Sequence, residues 1–232
     1  MIVEFGHFAL VLAVVVALFQ TVVPFWGAWT NDTRLMETAK PAAIIQFGLL
    51  CIAFAALTYA YVVSDFSVAN VASNSHSTKP LIYRISGVWG NHEGSMLLWV
   101  LILAMFGCAV AIFGNELPQT LKANALSVQA SIALAFGIFI LATSNPFLRL
   151  ENPPLDGRGL NPILQDPALA FHPPFLYAGY VGFSIAFSFA VAALIEGRIN
   201  AAWARWVRPW TLAAWMCLTI GIAMGSWWAY YE

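Results

Sequence analysis

The sequence predicts an all-α, polytopic membrane protein with about six transmembrane helices. Of its 232 residues, 61% are hydrophobic and only 9% are charged, and the mean hydropathy is +0.77. Such values are typical of multi-spanning membrane proteins and lie outside the range of soluble domains. Apolar runs of about twenty residues, the length that crosses a bilayer, recur along the whole chain. We therefore expect a single transmembrane helical domain over positions 1–232.

The apolar runs lie at 5–26, 41–63, 94–113, 126–144, 174–194 and 211–230. The first run resembles a signal peptide only superficially, because Glu4 and His7 stand where a signal peptide has basic residues. The fifth run is preceded by Pro173 and Pro174. Proline suits the first turn of a helix, where its missing N–H is not needed, so these residues are expected to begin the fifth helix.

The connections between these runs predict the orientation of the chain. Three short connections, 27–40, 114–125 and 195–210, carry six of the ten Lys and Arg residues. The two long connections, 64–93 and 145–173, carry the other four. Basic residues favour the cytoplasmic side, which predicts that both long connections and both termini face outward. Long connections with many turn-forming residues are usually ordered and functional.

Composition also excludes several classes of function. A net charge of −1 with scattered basic residues gives no surface for nucleic acid. The three cysteines, Cys51, Cys108 and Cys217, lie in apolar runs without CxxC or CxxCH spacing, which excludes a disulfide framework, an ordinary zinc site and covalent attachment of c-type haem. Centres of the spans lack ionisable residues, which argues against a proton pump or an ion-coupled transporter.

Two histidines precede helices on the same predicted outer face. His172 lies next to Pro173, at or beside the expected N-cap of the fifth helix, where the helix dipole favours the neutral imidazole that a metal or haem iron requires. An alternative is that His172 only caps its helix or bonds a backbone carbonyl. His92 and Glu93 precede the third helix, where they are either functional or part of an N-terminal capping arrangement with Asn91.

The segment 225–232, GSWWAYYE, is denser in aromatic residues than an interfacial belt requires. It lies at the outer end of the last predicted helix, on the same face as His92 and His172. Trp227 and Trp228 could therefore contact a large planar ligand such as a porphyrin. An ordinary tryptophan belt is the alternative.

Four segments together resemble the cytochrome c maturation family of CcmF and its relative NrfE. They are WGNHEGSMLLW at 89–99, LNPILQDP at 160–167, FHPPFLY at 171–177 and GSWWAYYE at 225–232. The resemblance runs over essentially the whole chain and has the motifs in the same order. It implies an N-terminal portion of a haem lyase subunit, ending at the start of the tryptophan-rich WWD region, either as a truncated piece or as the product of a split gene.

The resemblance further implies roles for individual residues. His172 would be a periplasmic axial ligand of haem iron, Trp227 and Trp228 would edge the haem platform, and no catalytic side chain would come from this chain. The scaffold around the site would use His92, Glu93, Asn161, Gln165 and Asp166. The second axial histidine of the family lies beyond position 232, so the 232 residues alone are expected not to ligate haem.

The implied function is c-type cytochrome biogenesis in the bacterial inner membrane, or in the mitochondrial inner membrane. As part of a holocytochrome c synthetase, the protein would receive b-type haem from the chaperone CcmE. With CcmH and CcmI, it would promote thioether attachment of that haem to the CxxCH cysteines of apocytochrome c. Membrane lipid is the other expected partner, and nucleic acid is not expected. The alternatives are a scaffold for assembly partners without haem ligation and a haem transporter.

Overall fold

The computed structural model describes residues 1–231, except for the side chains at positions 163, 169 and 231. The chain is helical, and the described residues form no β-strand. The helices are α1 (Ile2–Thr30), α2 (Thr33–Glu37), α3 (Ala39–Val62), α4 (Ala69–Asn74), α5 (Leu81–Gly87), α6 (His92–Phe113), α7 (Gln119–Thr143), α8 (Pro167–Tyr180), α9 (Phe183–Glu196) and α10 (Ala201–Tyr231). A 3₁₀ turn at Pro162–Leu164 precedes α8.

Six stretches of the described chain are long and apolar enough to cross a membrane, which confirms the predicted number. They are Ile2–Thr30, Thr33–Val62, His92–Phe113, Gln119–Thr143, Ala170–Glu196 and Ala201–Tyr230. The last helix begins at Ala201, ten residues before the predicted start at 211, and passes through Pro209 without ending. The fifth stretch consists of α8 and α9, separated by a turn at Val181 and Gly182.

Helices α1, α3, α6 and α7 form a central bundle. Helix α1 packs against α3 and α7, and α6 packs against both α3 and α7. Small buried side chains such as Ala13, Ala17 and Ala53 let these helices approach closely. Buried polar groups also join neighbours: the Gln129 amide donates to the Leu103 carbonyl at 3.0 Å.

Helices α8 and α10 pair with each other beside this bundle. Helix α9 connects the pair to α7, and Trp99 of α6 packs edge-on against Tyr180 of α8 with ring centres 5.5 Å apart. Most of α10 is exposed within this chain. The α8–α10 pair is therefore attached to the bundle over a smaller surface than the bundle helices share.

The two long connections pack against one another at one end of the bundle. Arg149, from the second connection, pairs with Glu4 of α1 at 2.6 Å and with Asp65 of the first connection at 3.0 Å. The backbone N–H of Ser77 donates to the Asp156 carboxylate at 2.9 Å, again joining the two connections. These contacts place the regions around His92 and His172 at the same end of the molecule.

Candidate functional site

Helix α8 begins seven residues earlier than the sequence predicted. The Asp166 carboxylate accepts a hydrogen bond from the Ala168 N–H at 2.7 Å, and Pro167 occupies the first turn. Asp166 is therefore the N-cap, and the prediction that His172 lies at or next to the N-cap is wrong. His172 instead lies in the second turn, followed by Pro173 and Pro174 inside the helix. Prolines are tolerated inside membrane helices when packing and neighbouring groups compensate for the lost hydrogen bonds.

The imidazole of His172 is half-buried and bonded to the neighbouring helix. Its Nδ1 lies 2.7 Å from the carbonyl oxygen of Gly221 on α10. A carbonyl oxygen can only accept, so Nδ1 carries the hydrogen when the ring is neutral, and the lone pair is on Nε2. Among the described residues, His172 Nε2 has no hydrogen-bond partner. The predicted alternative of a bond to a backbone carbonyl is thus observed, and it leaves one ring nitrogen available.

Glycines allow α8 and α10 to approach this closely. A Cβ atom at Gly179 would lie 2.2 Å from the Leu218 nitrogen, and one at Gly221 would lie 2.6 Å from the Leu176 nitrogen. A Cβ at Gly225 would lie 2.6 Å from Cε1 of His172. Gly221 and Gly225 form a GxxxG pattern, which permits close packing of membrane helices. The His172 ring therefore lies directly against the α10 backbone.

The two tryptophans near the end of α10 differ in environment. Trp228 lies one turn after Gly225, on the same side of the helix; it is half-buried, and its Nε1 has no hydrogen-bond partner in the described part of the chain. Trp227 is 62% exposed. Of the two predicted platform residues, Trp228 is thus on the side of α10 that bears the histidine contact.

His92 begins α6, and the capping arrangement expected there is observed. The Asn91 side chain accepts from the Gly94 N–H at 2.9 Å, and Glu93 accepts from the Asn70 amide at 3.2 Å. His92 Nε2 lies 2.9 Å from the Ser144 hydroxyl. The ring also meets Phe139 of α7 edge-on.

The segment before α8 lies between these two regions. The Gln165 amide donates to the Leu160 carbonyl at 3.1 Å, and the Asn161 carbonyl accepts from the Leu164 N–H at 2.9 Å. A Cβ at Gly90 would lie 3.3 Å from Leu160. Segments 89–99 and 160–167 therefore touch each other, although none of the described contacts joins His92 to His172.

The sequence analysis assigned no role to Gly221 or to Gly225, although Gly225 begins the segment 225–232. Their GxxxG spacing within an apolar helix is a recognisable signal in the sequence. Within residues 1–231 there is also no cluster of three or more His, Cys, Asp or Glu side chains that could hold a metal ion. His172 is thus a single nitrogen donor from this chain.

Comparison with known proteins identifies the family. The family model described as cytochrome C assembly protein matches residues 89–232. The biogenesis protein Ccl1 of Rhodobacter capsulatus is 69% identical over 232 residues, which are 100% of this chain and 36% of that protein. CcmF of Pseudomonas aeruginosa is 56% identical over 233 residues, again with 100% and 36% coverage. CcmF of Escherichia coli is 50% identical over 230 residues, 99% of this chain and 36% of that protein.

A solved structure agrees with these relatives. The cytochrome c heme lyase CcmF has a TM-score of 0.87 to this chain at 29% identity, covering 99% of this chain and 36% of that one. The chain spans about a third of the length of the relatives it matches. The resemblance seen in four sequence motifs is confirmed, and the chain belongs to the cytochrome c assembly protein family, together with CcmF-type biogenesis proteins.

Proposed function

We propose that this chain forms the haem-receiving part of a cytochrome c haem lyase, with His172 as one axial ligand of the iron. The observation that carries the proposal is the 2.7 Å bond from His172 Nδ1 to the Gly221 carbonyl. Histidines that bind metals characteristically donate their other ring N–H to a carbonyl or carboxylate, which fixes the tautomer and the ring orientation. Haem is here the substrate, and Nε2 is the donor atom offered to it.

The chemical fit extends to the surroundings of His172. The ring is held against the α10 backbone at Gly225, and the Trp228 indole lies one turn further along the same side. An aromatic edge beside the ligand suits a planar porphyrin, and Trp227 and Trp228 would form part of that edge. This chain supplies one axial nitrogen, so a second ligand and most of the platform must come from elsewhere in the whole protein.

The chain's own residues would act by binding and orientation. Haem brings the vinyl groups, and the CxxCH cysteines of the apocytochrome bring the thiols. Each S–H adds across a vinyl double bond to form a thioether. The cysteines of this chain are free and lie in spanning helices, so no nucleophile is assigned to it. His172 would fix the position of the iron and tune it through axial ligation, and positioning of reactants contributes substantially to such reactions.

The proposal includes the location and the partners. The outer connections would lie in the periplasm of a bacterium, with the short basic connections in the cytoplasm. The chaperone CcmE would deliver haem at the His172 side. CcmH and CcmI would present the apocytochrome there. The packed long connections, joined through Arg149 and Asp156, would form the surface that these partners meet.

Reporter fusions test the orientation. A reporter that is active only outside the cytoplasm should be active when fused after Ala72 or after Asp156, and inactive when fused after Leu121. Activity after Leu121, or inactivity at the other two positions, would refute the proposed topology.

Substitution of His172 tests the ligand. In the native protein, His172→Gly should lose haem absorbance, and added imidazole should restore it by occupying the space of the missing ring. His172→Ala should also lose haem with weaker restoration, because its methyl group fills part of that space. His92→Gly is the matched control and should keep the spectrum. Retention of an unchanged haem spectrum in both His172 variants would refute the proposal.

The same experiment separates the scaffold alternative. His172 has a structural partner in the Gly221 carbonyl, so a protein that only docks assembly partners could also need this ring. In that case, His172→Gly would weaken the α8–α10 packing, and imidazole would change neither the spectrum nor haem retention.

A further inference from the structure

A polar cavity lies at the end of the bundle opposite to His172. It has a volume of about 320 Å³ and is formed where α1 ends, α7 begins and α9 ends. Its lining includes Phe25, Trp29, Asn124, Ile195, Glu196 and Arg198. Its size is at the lower limit for small-ligand sites, roughly 300–1,000 Å³. Nothing in the proposed haem chemistry uses this cavity.

A carboxylate that can accept more hydrogen bonds lines the cavity. Glu196 is half-buried, and its only hydrogen bond within residues 1–231 comes from the Asn124 amide over 3.4 Å. The Asn124 Oδ1 has no partner in the described chain, but it is itself buried and closed to a ligand. The Glu196 carboxylate can therefore accept further hydrogen bonds from a ligand that carries N–H groups.

A cation lines the same cavity. The chain turns through Gly197 with φ of 67° directly after α9, and this turn brings Arg198 to the cavity. Among the described residues, the Arg198 guanidinium makes no ion pair, not even with Glu196. The cavity thus presents a cation without an ion pair next to a carboxylate that can accept more hydrogen bonds. A ligand that carries both an ammonium and an anion would match this arrangement.

We propose that the cavity binds the headgroup of a phosphatidylethanolamine-type lipid. The primary ammonium would donate to the Glu196 carboxylate, and the phosphate would bind Arg198. Charge-assisted hydrogen bonds of this kind are among the stronger ones. Phe25, Trp29 and Ile195 give the cavity an apolar and aromatic border at the ends of spanning helices, where lipid headgroups meet the hydrocarbon region. The acyl chains would lie along the exposed outer sides of these helices.

The decisive comparison is between lipids that differ only in the headgroup. Phosphatidylcholine has the same phosphate, but its trimethylammonium has no N–H to donate. Phosphatidylglycerol has the phosphate without any ammonium. Native mass spectrometry of the purified, delipidated native protein should therefore show preferential binding of dioleoyl phosphatidylethanolamine over both other lipids. Equal binding of the three lipids, or preference for phosphatidylglycerol, would overturn the proposal.

Variants locate the binding. Glu196→Gln and Arg198→Ala should each weaken phosphatidylethanolamine binding about tenfold, which corresponds to roughly 1.4 kcal/mol. The matched controls Glu116→Gln and Arg205→Ala alter exposed residues outside the cavity and should bind as the unmodified protein does. If Glu196→Gln and Arg198→Ala bind the lipid as tightly as the unmodified protein does, the lipid does not bind in this cavity and the proposal is refuted.

A last comparison distinguishes a lipid from a soluble ligand. Free phosphoethanolamine carries the same headgroup groups without acyl chains. The lipid should displace it at far lower concentration, because the lipid also contacts the apolar border. If free phosphoethanolamine binds as tightly as the lipid, the occupant is a soluble zwitterion and the lipid proposal fails. Haem retention is scored in parallel, so a failure here is distinct from a failure at His172.

Discussion

His92 and His172, at the same end of the molecule, hold similar places in the sequence but differ in their surroundings. Next to His92, hydrogen bonds join the side chains of Tyr61, Asn70, Asn91 and Glu93, which we call the polar corner. His92 lies at its exposed edge, where the Nε2 atom is bonded to Ser144. His172 lies against the backbone of α10, where its Nδ1 is bonded to the Gly221 carbonyl. Its Nε2 has no hydrogen-bond partner among the described residues. The first arrangement uses the ring as one more structural contact. The second holds the ring and keeps a donor atom available, which is what ligation requires.

The stability of the two regions also has different origins. Around His92 it comes from side-chain hydrogen bonds: the Asn91 amide donates to Gly87 O at 2.8 Å and to Tyr61 OH at 3.0 Å. Around His172 it comes from the close approach of two helices at Gly221 and Gly225. Removal of a polar group should therefore destabilise the region around His92. An atom added at Gly225 should displace the His172 ring.

The largest expected effect tests the tolerance of each region to one added methyl group. A Cβ at Gly94 would lie 1.6 Å from the Val88 carbonyl oxygen, a backbone atom that cannot move aside alone. Gly94→Ala should therefore cost more than about 3 kcal/mol. At Gly225 the nearest atom belongs to the His172 ring, which can rotate, so Gly225→Ala should cost about 1 kcal/mol while displacing the ligand.

Thermal unfolding in mild detergent measures both losses, and haem absorbance reports the ligand. Gly48→Ala is the control, since nothing lies within 4 Å of the added atom; it should be neutral or stabilising by up to about 1 kcal/mol. Equal losses for Gly94→Ala and Gly225→Ala would remove the distinction between the two regions.

An intermediate effect is expected from Asn91. Asn91→Ala removes the cap of α6 and the bonds to Gly87 and Tyr61, which should cost about 2–3 kcal/mol. His92→Ala removes one bond at an exposed side chain and should cost less than about 1 kcal/mol. Unfolding temperatures of the two variants compare them directly. If His92→Ala loses more stability than Asn91→Ala, then His92, and not Asn91, is the main structural residue of that corner.

The smallest effect concerns Lys79, whose ammonium lies near Gly87 and Tyr61 beside the polar corner. Lys79 is 5% exposed, and its ammonium donates to the Asn74 carbonyl at 3.1 Å. Burial, with a smaller contribution from the Arg84 charge, lowers the pKa of Lys79 from 10.5 to about 8. The unfolded chain therefore binds more protons between these values, so stability should rise with pH across this window.

From pH 8 to about pH 10 the gain attributable to Lys79 should be about 2 kcal/mol. Lys79→Met keeps an unbranched side chain, one heavy atom shorter, and removes the titrating group. The difference between the unfolding curves of the two proteins at each pH isolates the contribution of Lys79. If both proteins respond to pH identically, the ammonium is not buried in the folded protein.

Much of the fold follows from hydropathy, because a spanning helix must be long and apolar whatever it contacts. The helix starts were less predictable. Pro173 and Pro174 suggested a first turn, yet Asp166 and Pro167 supply a better one, a capping carboxylate followed by proline at the first helical position. Both pairs are visible in the sequence, and only tertiary packing decides between them.

The site was predictable only in part for a related reason. His172 could be singled out by its motif, whereas its tautomer depends on the carbonyl of Gly221, 49 residues away. Asn70 and Tyr61, which hold the His92 corner, carry no local signal, since their contacts form only when the first long connection folds back onto α3. Sequence patterns thus indicated the residues of the site better than their partners.

The bond between His172 and Gly221 has a consequence for anyone who wishes to transplant this ligand. The acceptor is a peptide carbonyl, so no substitution at position 221 deletes it; a bulkier residue only pushes α8 away. The orientation of the imidazole is therefore determined by the crossing of α8 and α10 and not by a pair of side chains. Grafting the histidine motif alone onto another scaffold would carry over the ring without its orientation, whereas grafting the crossing helices with their three glycines would carry over both.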